Sequence, residues 1–162
     1  MNAAVSPAPT ETTQPGLGTV HLLGNLLTFL ATAGTTEGAF SLVECRTAPG
    51  EGSPPHLQRR DIEAFYVLDG RYEFTLGGEQ RTAGPGAFVL VPKDVPHRFR
   101  NPGEAEARML ILNIPGGLHE GFFRDAGEPA PPEGGFPPMM PPDVPRLTGI
   151  AAGYGIEILP PA

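Results

Sequence analysis

The sequence predicts a single all-β domain, and three observations support this prediction. Short runs rich in Val, Phe, Tyr and Leu recur about every ten residues, and each run is closed by a turn-forming residue. Within the run RYEFTL, apolar Tyr72, Phe74 and Leu76 alternate with polar residues, as in a strand with one buried face. The length of 162 residues fits one domain. The runs are VHLLG, LLTFLAT, AFSLVEC, EAFYVLDG, RYEFTLGG, GAFVLVP, HRFRN and ARMLILNI.

Two of the predicted turns contain residues that favour positive φ angles. Asp69-Gly70 separates FYVL from RYEFTL, and Gly77-Gly78 follows the next strand. Such dipeptides are typical of tight β-hairpins. The sequence therefore predicts a hairpin at both positions.

The composition excludes several classes of protein. The net charge of -7 and the scattered 11 Lys and Arg residues argue against a nucleic-acid-binding protein, which needs clustered cations. Cys45 is the only cysteine, so no intramolecular disulfide can form. No apolar run approaches the roughly 20 residues that span a bilayer, and the start of the chain lacks the basic and apolar regions of a signal peptide. We expect a cytoplasmic protein without membrane contact.

The two ends of the chain lack the regularly spaced apolar runs of the strand region. The segment GGLHEGFFRDAG predicts a short helix that closes one end of the barrel, and Asp143 is a predicted N-cap of a second short helix that ends at Gly155. The predicted organisation is a flexible tail over residues 1–16, a barrel over 17–126, a Pro- and Gly-rich extended segment over 127–142, and a short helix and tail packed on the barrel over 143–162.

Metal-ligating side chains are concentrated around two of the predicted strands. His56 and Gln58 are two residues apart, so they share one face of a strand, and Glu63 follows at the start of the next run. His97 begins another strand. Imidazole and carboxylate groups that converge from separate strands suit a divalent ion. The sequence predicts one such ion, either Fe, Mn, Ni, Co, Cu or Zn, held by His56, Glu63 and His97 with Gln58 as a fourth candidate.

The spacing of these residues resembles the two motifs of the cupin superfamily. Gly50-x5-His56-x-Gln58-x4-Glu63-x6-Gly70 is similar to the first motif, and Gly86-x5-Pro92-x-Asp94-x2-His97-x3-Asn101 is similar to the second. From about Leu17 onward, the chain resembles the small bacterial cupins of the quercetin 2,3-dioxygenase-like group. The resemblance implies a double-stranded β-helix of the jelly-roll type, with short C-terminal helices, that forms a homodimer.

The same resemblance implies a function. Cupins of this group are metal-dependent oxidoreductases that act on small aromatic or enolic compounds. The resemblance assigns Glu63 the role of the base that helps to remove a proton from the substrate.

Two positions depart from the family pattern. Gln58 stands where the family usually has its second histidine, and Asp94 stands where it usually has glycine. Asp tolerates the turn conformations that favour glycine, so the second departure is mild. Gln58 either coordinates the ion through its amide oxygen or hydrogen-bonds a water or a neighbouring ligand. His56, Glu63 and His97 alone form the two-histidine, one-carboxylate set of non-haem Fe(II) oxygenases, and Gln58 suggests a shift toward harder ions such as Fe(II) or Mn(II).

Strand parity selects candidate residues for a substrate pocket. Phe65 and Val67 share the face of Glu63, and Phe99 shares the face of His97, so these three predict a hydrophobic pocket suited to an aromatic ligand. His21 and His119 match no motif, and we expect surface or hydrogen-bonded structural roles for both.

Three other interpretations of these residues are compatible with the sequence. Glu63 can instead form an exposed salt bridge with Arg59 or Arg60 at the rim of the barrel. The metal can act as a Lewis acid for isomerase, cyclase or lyase chemistry without O2. The chain can also be a degenerate cupin that only binds a small ligand.

Overall fold

Two antiparallel sheets make up the fold, which confirms the predicted all-β class. The computed structural model describes residues 17–161, so the predicted tail over residues 1–16 lies outside the described residues. In chain order the elements are β1 (Thr19–Leu22), β2 (Asn25–Ala31), β3 (Ser41–Thr47), β4 (His56–Gln58), β5 (Ile62–Asp69), β6 (Tyr72–Leu76), β7 (Glu79–Ala83), β8 (Phe88–Val91), β9 (His97–Arg100), β10 (Ala107–Ile114), α1 (Leu118–Ala126), β11 (Glu128–Pro129), α2 (Val144–Gly153) and β12 (Ile156–Ile158).

The order of the strands shows how the chain moves between the sheets. The seven-stranded sheet has the order β11-β1-β2-β3-β10-β5-β8, and the five-stranded sheet has the order β12-β4-β9-β6-β7. Consecutive strands β3 to β6 thus alternate between the sheets, since β3 and β5 lie in the first and β4 and β6 in the second. This crossing brings side chains from distant parts of the chain into one interior.

The core between the sheets contains a layer of aromatic rings. Phe65 from the seven-stranded sheet packs against Phe74 and Phe99 from the five-stranded sheet, with ring centroids 5.1 and 5.8 Å apart. Tyr72 and Phe74 are fully buried, as the alternation in RYEFTL predicts. The ring of His97 lies 6.3 Å from that of Phe65, so the polar interior begins directly beside this layer.

One of the two predicted hairpins is confirmed and the other is wrong. Gly77 and Gly78 have φ angles of 54° and 90° and join the paired strands β6 and β7. Asp69-Gly70 instead carries the chain from β5 in one sheet to β6 in the other. Gly70 has the positive φ of 75° that the dipeptide predicts, but a sheet crossing uses the same backbone conformation as a hairpin.

Both predicted helices form at the expected places. The side chain of Asp143 accepts a hydrogen bond from the Arg146 N–H at 3.0 Å and so caps α2. The residues after α2, predicted as a tail, form strand β12, which pairs with β4. IEI is too short a run to predict a strand from sequence alone. Among the described helices, none is long and apolar enough to cross a membrane.

The single cysteine, Cys45, is fully buried, and its thiol should therefore make the stability of the fold depend on pH. Burial raises the pKa of Cys45 to about 12, although a hydrogen bond with Thr47 opposes the shift. Above about pH 9 the unfolded chain loses the thiol proton while the folded chain keeps it, so stability falls as pH rises. We expect this thiol to lower the folding constant about fivefold between pH 9 and 10, with a slope that approaches tenfold per unit at higher pH, and no reaction with a thiol reagent before unfolding. Denaturant titrations and labelling rates between about pH 9 and 10 measure both.

The variant Cys45→Ala is the control for this pH dependence. It removes the ionisable thiol, so its stability slope in that interval should be flatter than that of the wild type. Rapid labelling of the native protein at neutral pH would contradict the prediction.

Candidate metal centre

The two histidines of the predicted site face each other across neighbouring strands. Strands β4 and β9 pair antiparallel, and His56 stands directly opposite His97 in their register. Side chains on opposed residues of such a pair share one face of the sheet. Both rings therefore point into the interior, where their centroids are 4.2 Å apart and both residues are buried.

Glu63 reaches the same point from the opposite sheet. It lies on β5, and its Oε2 atom is 2.9 Å from Nε2 of His97 and 3.9 Å from Nε2 of His56. The potential ligand atoms of the three residues all lie within 4.8 Å of one another. Glu63 is only 2% exposed and forms no bridge with Arg59, which pairs instead with Asp94 and Glu157 at the surface. The alternative of an exposed salt bridge from Glu63 is wrong.

Backbone carbonyls fix the protonation pattern of both rings. Nδ1 of His56 lies 2.9 Å from the Pro54 carbonyl oxygen, and Nδ1 of His97 lies 2.9 Å from that of Val95. A carbonyl oxygen can only accept, so Nδ1 of each ring donates. Nε2 is then the nitrogen of each ring that faces Glu63 and is available to a metal ion, which is the arrangement typical of metal-ligating histidines.

The electrostatics of the site favour a bound cation. Burial lowers the pKa of His56, although its contact with Glu63 opposes this shift, so the ring is neutral at pH 7. Burial would raise the pKa of Glu63, but attraction to His119 and hydrogen bonds with His56 and His97 outweigh it and hold the pKa well below its usual value. A buried, unprotonated carboxylate thus faces the Nε2 atoms of two imidazoles. A divalent ion that accepts N and O ligands can take the place of the protons between these groups.

Gln58 lies beside this set, with its amide nitrogen toward the ligands. Its Nε2 atom donates to Oε2 of Glu63 at 2.9 Å and lies 2.7 Å from Nδ1 of His119. The side chain is 1% exposed, and its Oε1 atom has no hydrogen-bond partner within the described chain. This contact with Glu63 corresponds to the second of the two roles considered for Gln58, a hydrogen bond to a neighbouring ligand.

Sequence reasoning missed a buried polar group next to the predicted ligands. His119, on α1, matches no sequence motif, yet it is buried with Nδ1 3.7 Å from Oε1 of Glu63 and 3.8 Å from Oδ2 of Asp61. Nδ2 of Asn113 donates to Asp61 and, at 3.3 Å, to Glu63. Burial opposes protonation of His119, but attraction to Glu63 and Asp61 outweighs it and raises the pKa of the ring.

A signal for His119 was present in the sequence. The buried face of α1 comprises His119, Phe122, Phe123 and Ala126, at the i, i+3, i+4 and i+7 spacing of one helical face. Leu118, from which the helix was predicted, is only half-buried. Asp61 and Asn113 gave no such signal, since burial of an isolated polar residue cannot be read from periodicity.

An apolar cavity of about 50 Å³ opens onto the metal-ligand set. His56, Glu63 and His119 supply polar groups to its wall, while α1, α2 and β12 close it with Phe122, Leu147 and Ile156. The predicted pocket residue Phe99 lines this cavity. Phe65 and Val67 lie instead in the aromatic and aliphatic core of the barrel and are not among the lining residues.

The second departure from the motif has a clear structural basis. Asp94 has a φ of 65°, in the left-handed region that glycine adopts most readily. Its N–H donates to the Gln58 carbonyl at 2.8 Å, and Oδ1 accepts from Arg59. Aspartate therefore occupies the turn before His97 in the conformation expected of glycine there.

Comparison with known proteins identifies relatives of this chain. The pattern of the family described as Cupin domain matches residues 43–113. The chain is 39% identical over 90 residues to "Polyketide synthase CurC" of Streptomyces cyaneus, covering 54% of this chain and 57% of that protein. It is 30% identical over 117 residues to "Quercetin 2,3-dioxygenase" of Bacillus subtilis, covering 72% of this chain and 34% of that protein. The chain thus spans between a third and little more than half of these two relatives.

Solved structures support the same fold. The structure of KdgF from Halomonas sp. superposes with a TM-score of 0.54 at 23% identity, covering 60% of this chain and 84% of that chain. At this identity the likeness concerns the fold alone.

Proposed function

The chain belongs to the cupin superfamily, and from that premise we propose that it is a metal-dependent oxidoreductase of the dioxygenase type. Its substrate is a small aromatic or enolic compound. One observation carries the proposal: two imidazoles and one carboxylate, all buried, converge within 4.8 Å beside an apolar cavity that His56 and Glu63 line. This ligand set leaves positions open for a substrate and for O2.

The residues around the cavity have distinct tasks in this proposal. His56, Glu63 and His97 would hold the ion, which, when bound, supplies Lewis acidity that lowers the pKa of a substrate hydroxyl. Glu63 is unprotonated at neutral pH and accepts that proton. The apolar wall formed by Phe99, Phe122 and Phe123 excludes water and packs against the ring of the substrate. The cavity of about 50 Å³ is smaller than the roughly 150 Å³ that holds a benzene ring, so α1 and α2 must move apart to admit a single-ring compound and further apart to admit a three-ring flavonol.

Oxygen uptake with a metal-loaded protein tests the proposal. We expect consumption of O2 in the presence of a single-ring enol or catechol, and slower consumption with a flavonol. The variant Glu63→Gln should lose this activity, because an amide cannot accept the proton and neutralises the ligand set. Glu120→Gln is the matched control, since Glu120 is also a buried glutamate, but it accepts hydrogen bonds from the Ala33 N–H and does not line the cavity.

A specific observation favours a second candidate, an enzyme that uses the metal without O2. The relative with 39% identity is named a polyketide synthase, and polyketide chains are rich in enolisable ketones. The same ligand set would hold an ion that supplies Lewis acidity, and with the same base it would serve cyclisation or isomerisation of an enolate. Metal-dependent turnover under anaerobic conditions would support this candidate. Retained ligand binding by a protein without metal would support a degenerate binding cupin instead.

Replacement of Gln58 by histidine should change the metal that the protein holds. In Gln58→His, an imidazole from the same strand face as His56 joins the ligand set, and the neutral amide is lost. We expect higher metal occupancy and a shift from Fe(II) or Mn(II) toward ions that prefer imidazole, such as Ni, Cu or Zn. Elemental analysis of both proteins, purified without added metal, measures this. The same ion at the same occupancy in both would contradict it.

We further propose that two copies of the chain associate through the outer face of the seven-stranded sheet. Tyr66, Phe88 and Leu90 lie together there, at the edge formed by β8, and they are 43%, 63% and 53% exposed. Exposed apolar side chains on an edge strand favour pairing with a partner. Phe88→Glu should convert a homodimer to a monomer in light-scattering measurements. Met140→Glu, at a 76% exposed site elsewhere, should leave the dimer intact.

A further inference from the structure

His119 is a buried histidine that the proposed metal site does not use. It is 4% exposed, lines the cavity together with His56 and Glu63, and comes from α1 rather than from a barrel strand. It is not one of the three residues whose ligand atoms lie within 4.8 Å of one another. Its ring lies 6.1 Å from that of His56, measured between centroids, and 4.5 Å from that of Phe123. The ring is thus held in place beside the metal-ligand set without belonging to it.

Hydrogen bonding determines which nitrogen of His119 carries a proton. The carboxylate of Glu63 can only accept, so the Gln58 group 2.9 Å away must be the NH2 end of the amide. The second N–H of that amide faces Nδ1 of His119 at 2.7 Å, which makes Nδ1 an acceptor. The neutral ring therefore carries its proton on Nε2. Protonation of the ring would also leave a proton on Nε2, so this nitrogen is a donor in either state.

The Nε2 donor has no acceptor of its own. Within residues 17–161, the polar neighbours of the His119 ring are Gln58, Glu63 and Asp61, and all three lie at Nδ1. Nε2 is not fully enclosed by protein atoms, so a ligand in the cavity can supply an oxygen that accepts this hydrogen bond. Phe122 and Phe123 pack against the ring, at centroid distances of 5.8 and 4.5 Å, and so limit its rotation.

We propose that Nε2–H of His119 donates a hydrogen bond to a second oxygen of the substrate, whose first oxygen lies at the His56, Glu63 and His97 site. This inference rests on the proposed function. It narrows the substrate class to compounds that carry oxygens on adjacent carbons, such as catechols, enediols and α-hydroxyketones. A compound with a single hydroxyl satisfies the metal site but leaves the His119 donor unpaired, and so binds less tightly.

Binding of catechol and of phenol to the Zn(II)-loaded protein tests this inference without any turnover. The two probes differ by one oxygen on the adjacent carbon. Isothermal titration should show tighter binding of catechol to the wild type. The variant His119→Phe, which keeps a ring between Phe122 and Phe123, should weaken catechol binding about tenfold, the value of one hydrogen bond, and leave phenol binding within about twofold. His119→Gln, which retains an N–H donor, should recover part of the catechol affinity.

Zinc content, measured on every variant, separates the possible outcomes. If His119→Phe holds zinc and binds catechol as tightly as the wild type, the inference is overturned while the proposed function stands. If His119→Phe loses its zinc, His119 acts as a ligand and the inference is again overturned. If the wild type itself binds neither zinc nor catechol, the proposed function fails and the inference fails with it. Should His119→Phe not fold, His119→Leu takes its place in the same comparison.

Discussion

The variant His97→Ala is expected to lose metal affinity by at least about 100-fold, since even the loss of a residue that only orients a ligand costs roughly 10- to 100-fold. His97 faces His56 across paired strands, and its Nε2 atom is 2.9 Å from Glu63. Alanine removes one of three ligands and leaves the carboxylate without its nearest partner. Gln58 contacts the same oxygen of Glu63 through its amide N–H, which cannot coordinate an ion in place of the lost imidazole.

Metal-dependent stabilisation measures this loss without a substrate. An ion that binds only the folded chain stabilises it by about 2.7 kcal/mol at a concentration 100 times its Kd. Addition of the ion should therefore raise the Tm of the wild type, and a chelator should reverse the rise. The Tm of His97→Ala should respond far less, because at the same concentration a 100-fold weaker site gains only about 0.4 kcal/mol. His21→Ala is the matched control, since His21 lies on β1 outside the ligand set, and its Tm should respond as the wild type does.

Much of the fold and of the ligand set was predictable because it depends on local periodicity. His56 and Glu63 are close in sequence, and strand alternation alone assigns their side chains to the interior. The meeting of Glu63 with His97 depends on two sheets that face each other, which only the motif resemblance could predict. The position of Gln58 toward Glu63 rather than toward a ligand position depends on the orientation of one amide, and no sequence pattern encodes that orientation.

The sequence-based predictions differ from the structure where one local sequence signal is compatible with two tertiary arrangements. Asp69-Gly70 predicts a backbone conformation correctly, but a crossing between sheets and a hairpin both use it. Phe65 and Val67 share the inward parity of Glu63, yet they lie further along β5, within the packed core. Parity assigns a face of the sheet and does not distinguish the depth along the strand. His119 depends on how α1 docks on the barrel, which is a contact between elements far apart in sequence.

The second large effect is expected from one added methyl group at Gly52, a residue that lines the cavity. A Cβ atom there would lie 2.0 Å from the Phe99 carbonyl oxygen and 2.8 Å from Cα of Arg100. Both are backbone atoms, and Gly52 forms a β-bridge with Arg100, so neither side can yield easily. We expect Gly52→Ala to lower the free energy of unfolding by more than about 3 kcal/mol. Denaturant titration measures the change.

Replacement of Gly149 by alanine should have the opposite effect on the free energy of unfolding. Gly149 is an exposed residue within α2, and a Cβ there would have no atom within 4 Å. Alanine in a helix interior is more favourable than glycine by about 0.5 to 1 kcal/mol, so Gly149→Ala should raise the free energy of unfolding by that amount. Since both variants add one methyl group, a difference in sign between them isolates the close approach of backbone at Gly52. Unchanged stability of Gly52→Ala would mean that the loop before β4 moves away from β9, and the cavity wall with it.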